Sequence, residues 1–153
     1  MILLWYHYDG TNHQADIFKK MKLITRDTDY AVRALCFMAR RQDRERVVSV
    51  SQLVKDLKIP RPFLRKLLQV LNKKKILASS RGSEGGFTLA RPADKIFLTD
   101  LMRAFQGTFK LNECFFKKMR CRNVRTCPLR KKIMRLEGLV RTELESITIA
   151  SLL

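Results

Sequence analysis

Between residues 27 and 40 the apolar positions Ala31, Ala34, Leu35 and Met38 recur at i, i+3, i+4 and i+7. That spacing lines one face of a helix, so the pattern predicts an amphipathic helix over about Asp27–Arg40. Cys36 falls among its apolar residues and reads as a small buried hydrophobe. Ser49-Val-Ser-Gln52 has the form of a capping box, opening a short helix through Leu57. Pro60 and Pro62 then start a third helix, near Pro60–Asn72, since proline is tolerated only in a first turn. In it Leu64, Leu67, Leu68 and Leu71 repeat at helical spacing and face the core, while Arg61, Arg65, Gln69 and Asn72 occupy the opposite face with Lys66 beside them. Two short helices joined by a tight turn, the second with a basic and amide-bearing outer face, describe a helix-turn-helix.

The period then changes. Ile76–Ala78 and Phe87–Leu89 are short apolar runs flanking Arg81-Gly-Ser-Glu-Gly-Gly86. The glycines allow the positive φ angles that a tight hairpin loop needs, which makes this segment a wing. Leu98–Gln106 reads as a short helix ended by Gly107, followed by a basic, irregular stretch to Cys127. Pro128 is placed to open a last helix carrying a stripe of Leu129, Ile133, Leu136, Val140, Leu144 and Ile147. Such a stripe needs a partner, and a second copy of the chain is the simplest one. The expected architecture is mainly α with a small β-wing. Residues 1–20 lack periodicity and form a poorly ordered extension; 21–97 are a winged helix-turn-helix domain, 98–127 a short helix and cysteine-bearing loop, and 128–153 a dimerisation helix.

Composition sharpens the partner. The 153 residues include 32 Lys and Arg against 14 Asp and Glu, a net charge of +18. Such an excess marks a polyanion binder, because neutralising phosphates releases condensed counterions. Charge alone leaves DNA, RNA and an acidic membrane surface open. No apolar run approaches the roughly 20 residues of a membrane span. Met1–Tyr8 is apolar but lacks the basic start and small-residue cleavage site of a signal peptide. The expectation is a cytoplasmic protein whose four cysteines stay reduced. His7 and His13, in the extension, read as exposed spectators.

The helix-turn-helix favours DNA over the bland alternative of a solvated stripe. Arginine pairs with guanine O6 and N7, and Gln or Asn with adenine, in the major groove. The candidate DNA-contacting residues are Arg61, Pro62, Arg65, Lys66, Gln69 and Arg81. Arg81, at the base of the wing, suits a minor-groove or phosphate contact, whereas Glu84 would bring a carboxylate toward phosphates. Lys55, Lys58, Lys73, Lys74 and Lys75 suit backbone affinity. No nucleophile–base set or phosphate-binding motif is present, so an enzyme is not expected.

Cys114, Cys121 and Cys127 have six and five intervening residues. Structural zinc sites and thioredoxin-type redox centres use close Cys-x-x-Cys pairs, which are absent, and bacterial ferredoxins space their cysteines more tightly. Three well-spaced thiols can hold three corners of an iron–sulfur cluster, with a fourth ligand from elsewhere. Residues 114–132 carry eight Lys or Arg and no Asp or Glu. Those charges lower thiol pKa values and offset the charge of a thiolate-ligated cluster. Three unliganded thiols in a basic loop touching DNA remain the alternative, and a zinc-stabilised module a further one.

With these residues in view, the chain resembles the IscR/NsrR-type winged-helix regulators, bacterial dimeric transcription factors that commonly carry an iron–sulfur cluster. The resemblance spans about Met21 to Ile147. It rests on Met-Lys-Leu-Ile-Thr-Arg-Asp-Thr-Asp-Tyr-Ala-Val-Arg (21–33), Ile-Pro-Arg-Pro-Phe-Leu-Arg-Lys (59–66), the wing Arg-Gly-Ser-Glu-Gly-Gly-Phe-Thr-Leu-Ala-Arg-Pro-Ala-Asp (81–94), the cysteine triplet and the long helix after it. It implies that Cys114, Cys121 and Cys127 ligate the cluster and that Asp29 of the partner subunit completes it, with 4Fe–4S favoured over 2Fe–2S. It further implies a homodimer on a palindromic operator in double-stranded DNA, acting as a repressor whose binding follows nitric oxide, redox or iron–sulfur status. A cluster-free member sensing a small molecule or partner protein, and a basic RNA-associated protein, are the rival readings.

Overall fold

The computed structural model describes residues 23–41, 47–82, 85–111 and 125–153. Outside these lie the expected extension 1–20, the wing-tip residues Ser83 and Glu84, and the two cysteines Cys114 and Cys121.

Helix α1 (Arg26–Arg41) carries Asp27 and Asp29 in its first turn and Arg40 and Arg41 in its last, the charge order that complements the helix dipole. Ala31, Ala34, Leu35 and Met38 are buried, as their spacing requires. Cys36 is half-buried against the core, and desolvation pushes its thiol pKa up despite the lowering pull of Arg40. It is a packing residue rather than a reactive one.

Helix α2 (Val50–Leu57) opens on the expected capping box: the Gln52 amide donates to Ser49 Oγ at 3.2 Å and the Ser49 amide to Gln52 Oε1 at 2.7 Å. It stops at Lys58, whose left-handed φ of 52° turns its N–H onto the Val54 carbonyl. Helix α3 (Arg61–Lys73) follows, with Pro60 capping it and Pro62 inside the first turn, where no N–H is needed. Leu64, Leu67, Leu68 and Leu71 are all buried. Asn72, expected on the outer face with Arg65 and Gln69, is instead half-buried where the helix ends.

The wing is a two-stranded antiparallel hairpin, β1 (Leu77–Ser80) and β2 (Gly86–Leu89), with Leu77 opposite Leu89 and Ser80 opposite Gly86. Its first strand starts one residue later than the apolar run suggests. Ile76 is taken by the turn, its N–H donating to the Leu71 carbonyl at 3.0 Å while its side chain is buried. A third segment joins the hairpin: Val48 exchanges two 2.9 Å backbone hydrogen bonds with Phe87. The wing is thereby sewn to the chain just ahead of α2.

Beyond a short turn at Ala93–Lys95, helix α4 (Leu98–Phe105) begins. The Asp100 carboxylate accepts from the Phe97 N–H at 3.3 Å and from the Arg91 guanidinium, fastening the foot of the wing to this helix. Helix α5 (Pro128–Ser146) is followed by a last turn at Ala150–Leu152. There the buried Ile149 donates to the Ile96 carbonyl, and Leu98 donates to the Ile147 carbonyl, each at 2.9 Å. One core unites Leu35, Leu53, Leu64, Leu68, Leu71, Leu77, Ile96, Leu101 and Ile149. Each fully buried leucine in it contributes about 1.5–3 kcal/mol relative to an exposed one.

The stripe on α5 divides. Its C-terminal part finds a partner within the chain: Leu144, with Val140 and Ile147, packs on Leu98 and Met102 of α4. Its N-terminal part finds none among the described residues, and Leu129 (69% exposed), Leu136 (51%) and the adjacent Leu139 (60%) are exposed. Half of the surface assigned from sequence to a second copy is thus covered by α4.

Candidate nucleic-acid interface

Helix α3 presents its apolar stripe to α2 and the core, which forces the other side outward. Arg61, Pro62, Arg65, Lys66 and Gln69 are all exposed. From Arg61 to Gln69 the helix rises about 12 Å, which matches three to four base-pair steps of about 3.4 Å. Arg61 leans back toward α2, with Nη2 3.5 Å from Ser51 Oγ. Arg65, Lys66 and Gln69 enter none of the hydrogen bonds or ion pairs among the described residues, so their donors are free for a ligand. Asp56, the acidic residue of α2, faces Arg41 at 3.9 Å instead.

Arg81 is exposed immediately beyond β1. The loop that follows turns at Gly82, whose φ of 116° suits only glycine, and closes through a 3.0 Å hydrogen bond from the Gly85 N–H to the Gly82 carbonyl. Lys55, Lys58, Lys73, Lys74 and Lys75 are exposed around the same two helices. The exposed side of α3 and the wing are two elements of the kind that enter DNA grooves, and both carry exposed basic residues.

Of the four residues assigned to metal binding, two are described. Cys127 caps α5, half-buried, its Sγ accepting from the Arg130 N–H at 3.5 Å. Asp29 is nearly half exposed and pairs with Arg33 one turn on, at 3.0 Å. Among the described residues no three His, Cys, Asp or Glu side chains converge, and no helix is long and apolar enough to cross a membrane.

One polar cluster escapes a reading of periodicity. Thr28 is wholly buried, and its hydroxyl donates to Gln106 Oε1 at 2.9 Å. The same oxygen accepts from the Thr25 N–H at 2.9 Å, and Gln106 Nε2 donates to the Leu23 carbonyl at 2.9 Å. One side-chain amide therefore ties the first turn of α1, which carries Asp29, to the end of α4. The available signal was Thr28 itself, a polar residue on the stripe continued by Ala31 and Leu35. Gln106→Ala leaves the buried Thr28 hydroxyl with Thr25 Oγ1, 3.1 Å away, and removes all three bonds to the Gln106 amide, a loss of about 1–3 kcal/mol. Urea denaturation is expected to show a lowered midpoint at unchanged slope. Gln106→Glu, which keeps the acceptor and loses the donor, should fall between this variant and wild type.

The chain matches the family model described as Rrf2, iron-dependent transcriptional regulator, over residues 24–153. It is 38% identical over 92 residues to an Aquifex aeolicus protein described as of the HTH-type transcriptional regulator class, covering 60% of this chain and 62% of that one. It is 36% identical over 90 residues to the HTH-type transcriptional regulator NsrR of Oceanobacillus iheyensis, covering 59% and 60%. These alignments take in about three fifths of the relatives' lengths. Among solved structures, CymR, the global cysteine regulator of B. subtilis, shares the fold at TM-score 0.72 and 21% identity, covering 86% of this chain and 96% of that one. IscR of T. potens does so at TM-score 0.61 and 25% identity, covering 88% of each.

Proposed function

The chain belongs to the Rrf2 family of iron-dependent transcriptional regulators, and from that premise we propose that it is a homodimeric repressor whose hold on a palindromic operator is set by an iron–sulfur cluster. The family is one of DNA-binding regulators, not of enzymes. The observation that carries the DNA half of the reading is the exposed face of α3, where Arg65, Lys66 and Gln69 have no protein partner among the described residues. In this reading α3 enters the major groove, with Arg61, Arg65 and Gln69 toward base edges and Pro62 at the groove entrance. Lys66 and Arg81 take the backbone or minor groove.

Dimerisation is supported by the exposed leucines on the first half of α5. Two such helices pairing about a twofold axis would place two α3 helices about one turn of DNA apart.

For the sensing half, the donor chemistry suits a cluster. Three thiols supply three of the four corners of a 4Fe–4S centre and a carboxylate can supply the fourth, and the two described members are accessible rather than locked in the core. Cys114, Cys121 and Cys127 would hold it, with Asp29 of the partner subunit as fourth ligand. A bound cluster would supply a redox- and nitric-oxide-reactive centre. To serve as ligand, the Asp29 carboxylate must leave Arg33, and a carboxylate exchanges more readily than a thiolate.

The test is anaerobic purification with iron and sulfide quantitation. The wild type is expected to bring down about four irons per subunit, as a 4Fe–4S centre requires. Cys121→Ala is expected to lose the cluster and its visible charge-transfer absorption, and Asp29→Ala to retain it less well. Iron-free wild type would sink the cluster reading, and full retention in Asp29→Ala the carboxylate assignment alone. A second reading, a family member without a cluster that responds to a small molecule or partner protein, is favoured by the fold likeness to the global cysteine regulator CymR. It predicts iron-free protein with operator binding intact.

A further inference from the structure

We infer that Arg26, the first residue of α1, is an additional DNA-phosphate contact, held beside the entering end of α3 by the face of Phe63. The inference rests on the reading of α3 as the helix that enters the groove. The Arg26 guanidinium carbon lies 5.3 Å from the centroid of the Phe63 ring. Phe63 belongs to the first turn of α3, next to Pro62 and two residues ahead of Arg65. Tyr30 meets the same ring edge-on, with centroids 5.5 Å apart and planes at 77°. Phe63 also packs against the hydrophobic core. A residue of α1 is thus fastened to the recognition helix at the end whose side chains approach the bases, where the flanking phosphates also lie.

The placement leaves Arg26 available. A guanidinium held over a ring face by its charge leaves its N–H donors available, since the ring is no conventional hydrogen-bond acceptor. Arg26 is exposed, and no ion pair involves it among the described residues. Two carboxylates share its turn. Asp29 is engaged by Arg33 at 3.0 Å. Asp27, one residue on, projects about 100° further round the helix. The contact with the ring also restricts the side chain before binding, so less rotamer freedom is lost when a phosphate is met.

A phosphate contact has a signature that a base contact lacks. It weakens binding to every duplex alike and lowers the salt dependence by one counterion's worth. The experiment is fluorescence anisotropy over a salt series with wild type, Arg26→Gln and Arg65→Ala, on an operator duplex selected with the wild-type protein and on a scrambled duplex. Arg26→Gln is expected to weaken both duplexes by a similar factor, roughly fivefold near 0.15 M salt, and to reduce the slope of log K against log salt by about two for the dimer, one for each subunit. In a Phe63→Leu background, which keeps an apolar side chain but removes the ring face, the same substitution should cost clearly less.

Unchanged affinity and slope in Arg26→Gln, with Arg65→Ala impaired on the operator, would overturn this inference and leave the DNA reading standing. A loss confined to the operator duplex would also overturn it, by making Arg26 a base reader. Wild-type protein that prefers no duplex would remove the DNA reading first.

Discussion

A Gly86→Ala variant is expected to lose about 2–4 kcal/mol of stability, the combined effect of a displaced strand pair and a partly opened core. The reason is a close approach of backbones. A Cβ built on Gly86 falls 2.4 Å from the Val48 carbonyl oxygen and 2.8 Å from its carbon. Neither atom can rotate away, because Val48 is held by two hydrogen bonds to Phe87, the residue next to the glycine. Relief requires Val48 to move off the wing, stretching both bonds and withdrawing a side chain that is 1% exposed. For a chain of 153 residues each 1 kcal/mol corresponds to roughly 2–4 °C in Tm, so calorimetry should register a fall of about 4–16 °C. A melting temperature within about 2 °C of wild type would mean that the Val48–Phe87 pairing contributes little. Gly82→Ala is the informative contrast, because nothing lies within 4 Å of its Cβ and only the positive φ is penalised.

The contrast between Gly86 and the helix-turn-helix separates what is legible in the sequence from what is not. Ser49 with Gln52, Pro60 with Pro62, and the leucines of α3 carry their information within one or two turns. Local rules therefore place α2 and α3 to within a residue. The pairing of Val48 with Phe87, and the bond from Thr28 to Gln106 across 78 residues, have no period to reveal them. Each depends on a partner supplied by another part of the fold. The α5 stripe lies between these cases. Its spacing identified a buried face, but spacing does not state against what, and α4 takes Leu144 while Leu129 and Leu139 stay exposed. The candidate interface was legible because exposure is the complement of burial on a helix: fixing Leu64, Leu67, Leu68 and Leu71 inward fixes Arg61, Arg65 and Gln69 outward. Arg26 was not, because its position beside α3 is made by the ring of Phe63 rather than by its own helix.

The largest functional effect is expected at Arg65. Arg65→Ala should reduce operator affinity by about 2–6 kcal/mol, while affinity for scrambled DNA falls by less than roughly tenfold. The asymmetry follows from geometry and symmetry together. Arg65 is exposed at the middle of the α3 face, has no protein partner among the described residues, and sits on a helix whose opposite side is locked in the core. A guanidinium so placed can meet a guanine with two parallel donors, a contact worth about 1–3 kcal/mol of discrimination. A homodimer on a palindrome makes each contact twice, so one substitution removes two. The nonspecific complex loses only two phosphate-range charges out of a strongly basic surface. Arg65→Lys separates the two contributions: it keeps the charge but not the bidentate fork, and should restore scrambled-duplex binding while leaving operator preference low. Equal losses on both duplexes, with full rescue by lysine, would assign Arg65 to the DNA backbone and move sequence reading to Arg61 and Gln69. Footprinting of the variant would decide where on the half-site the contact falls.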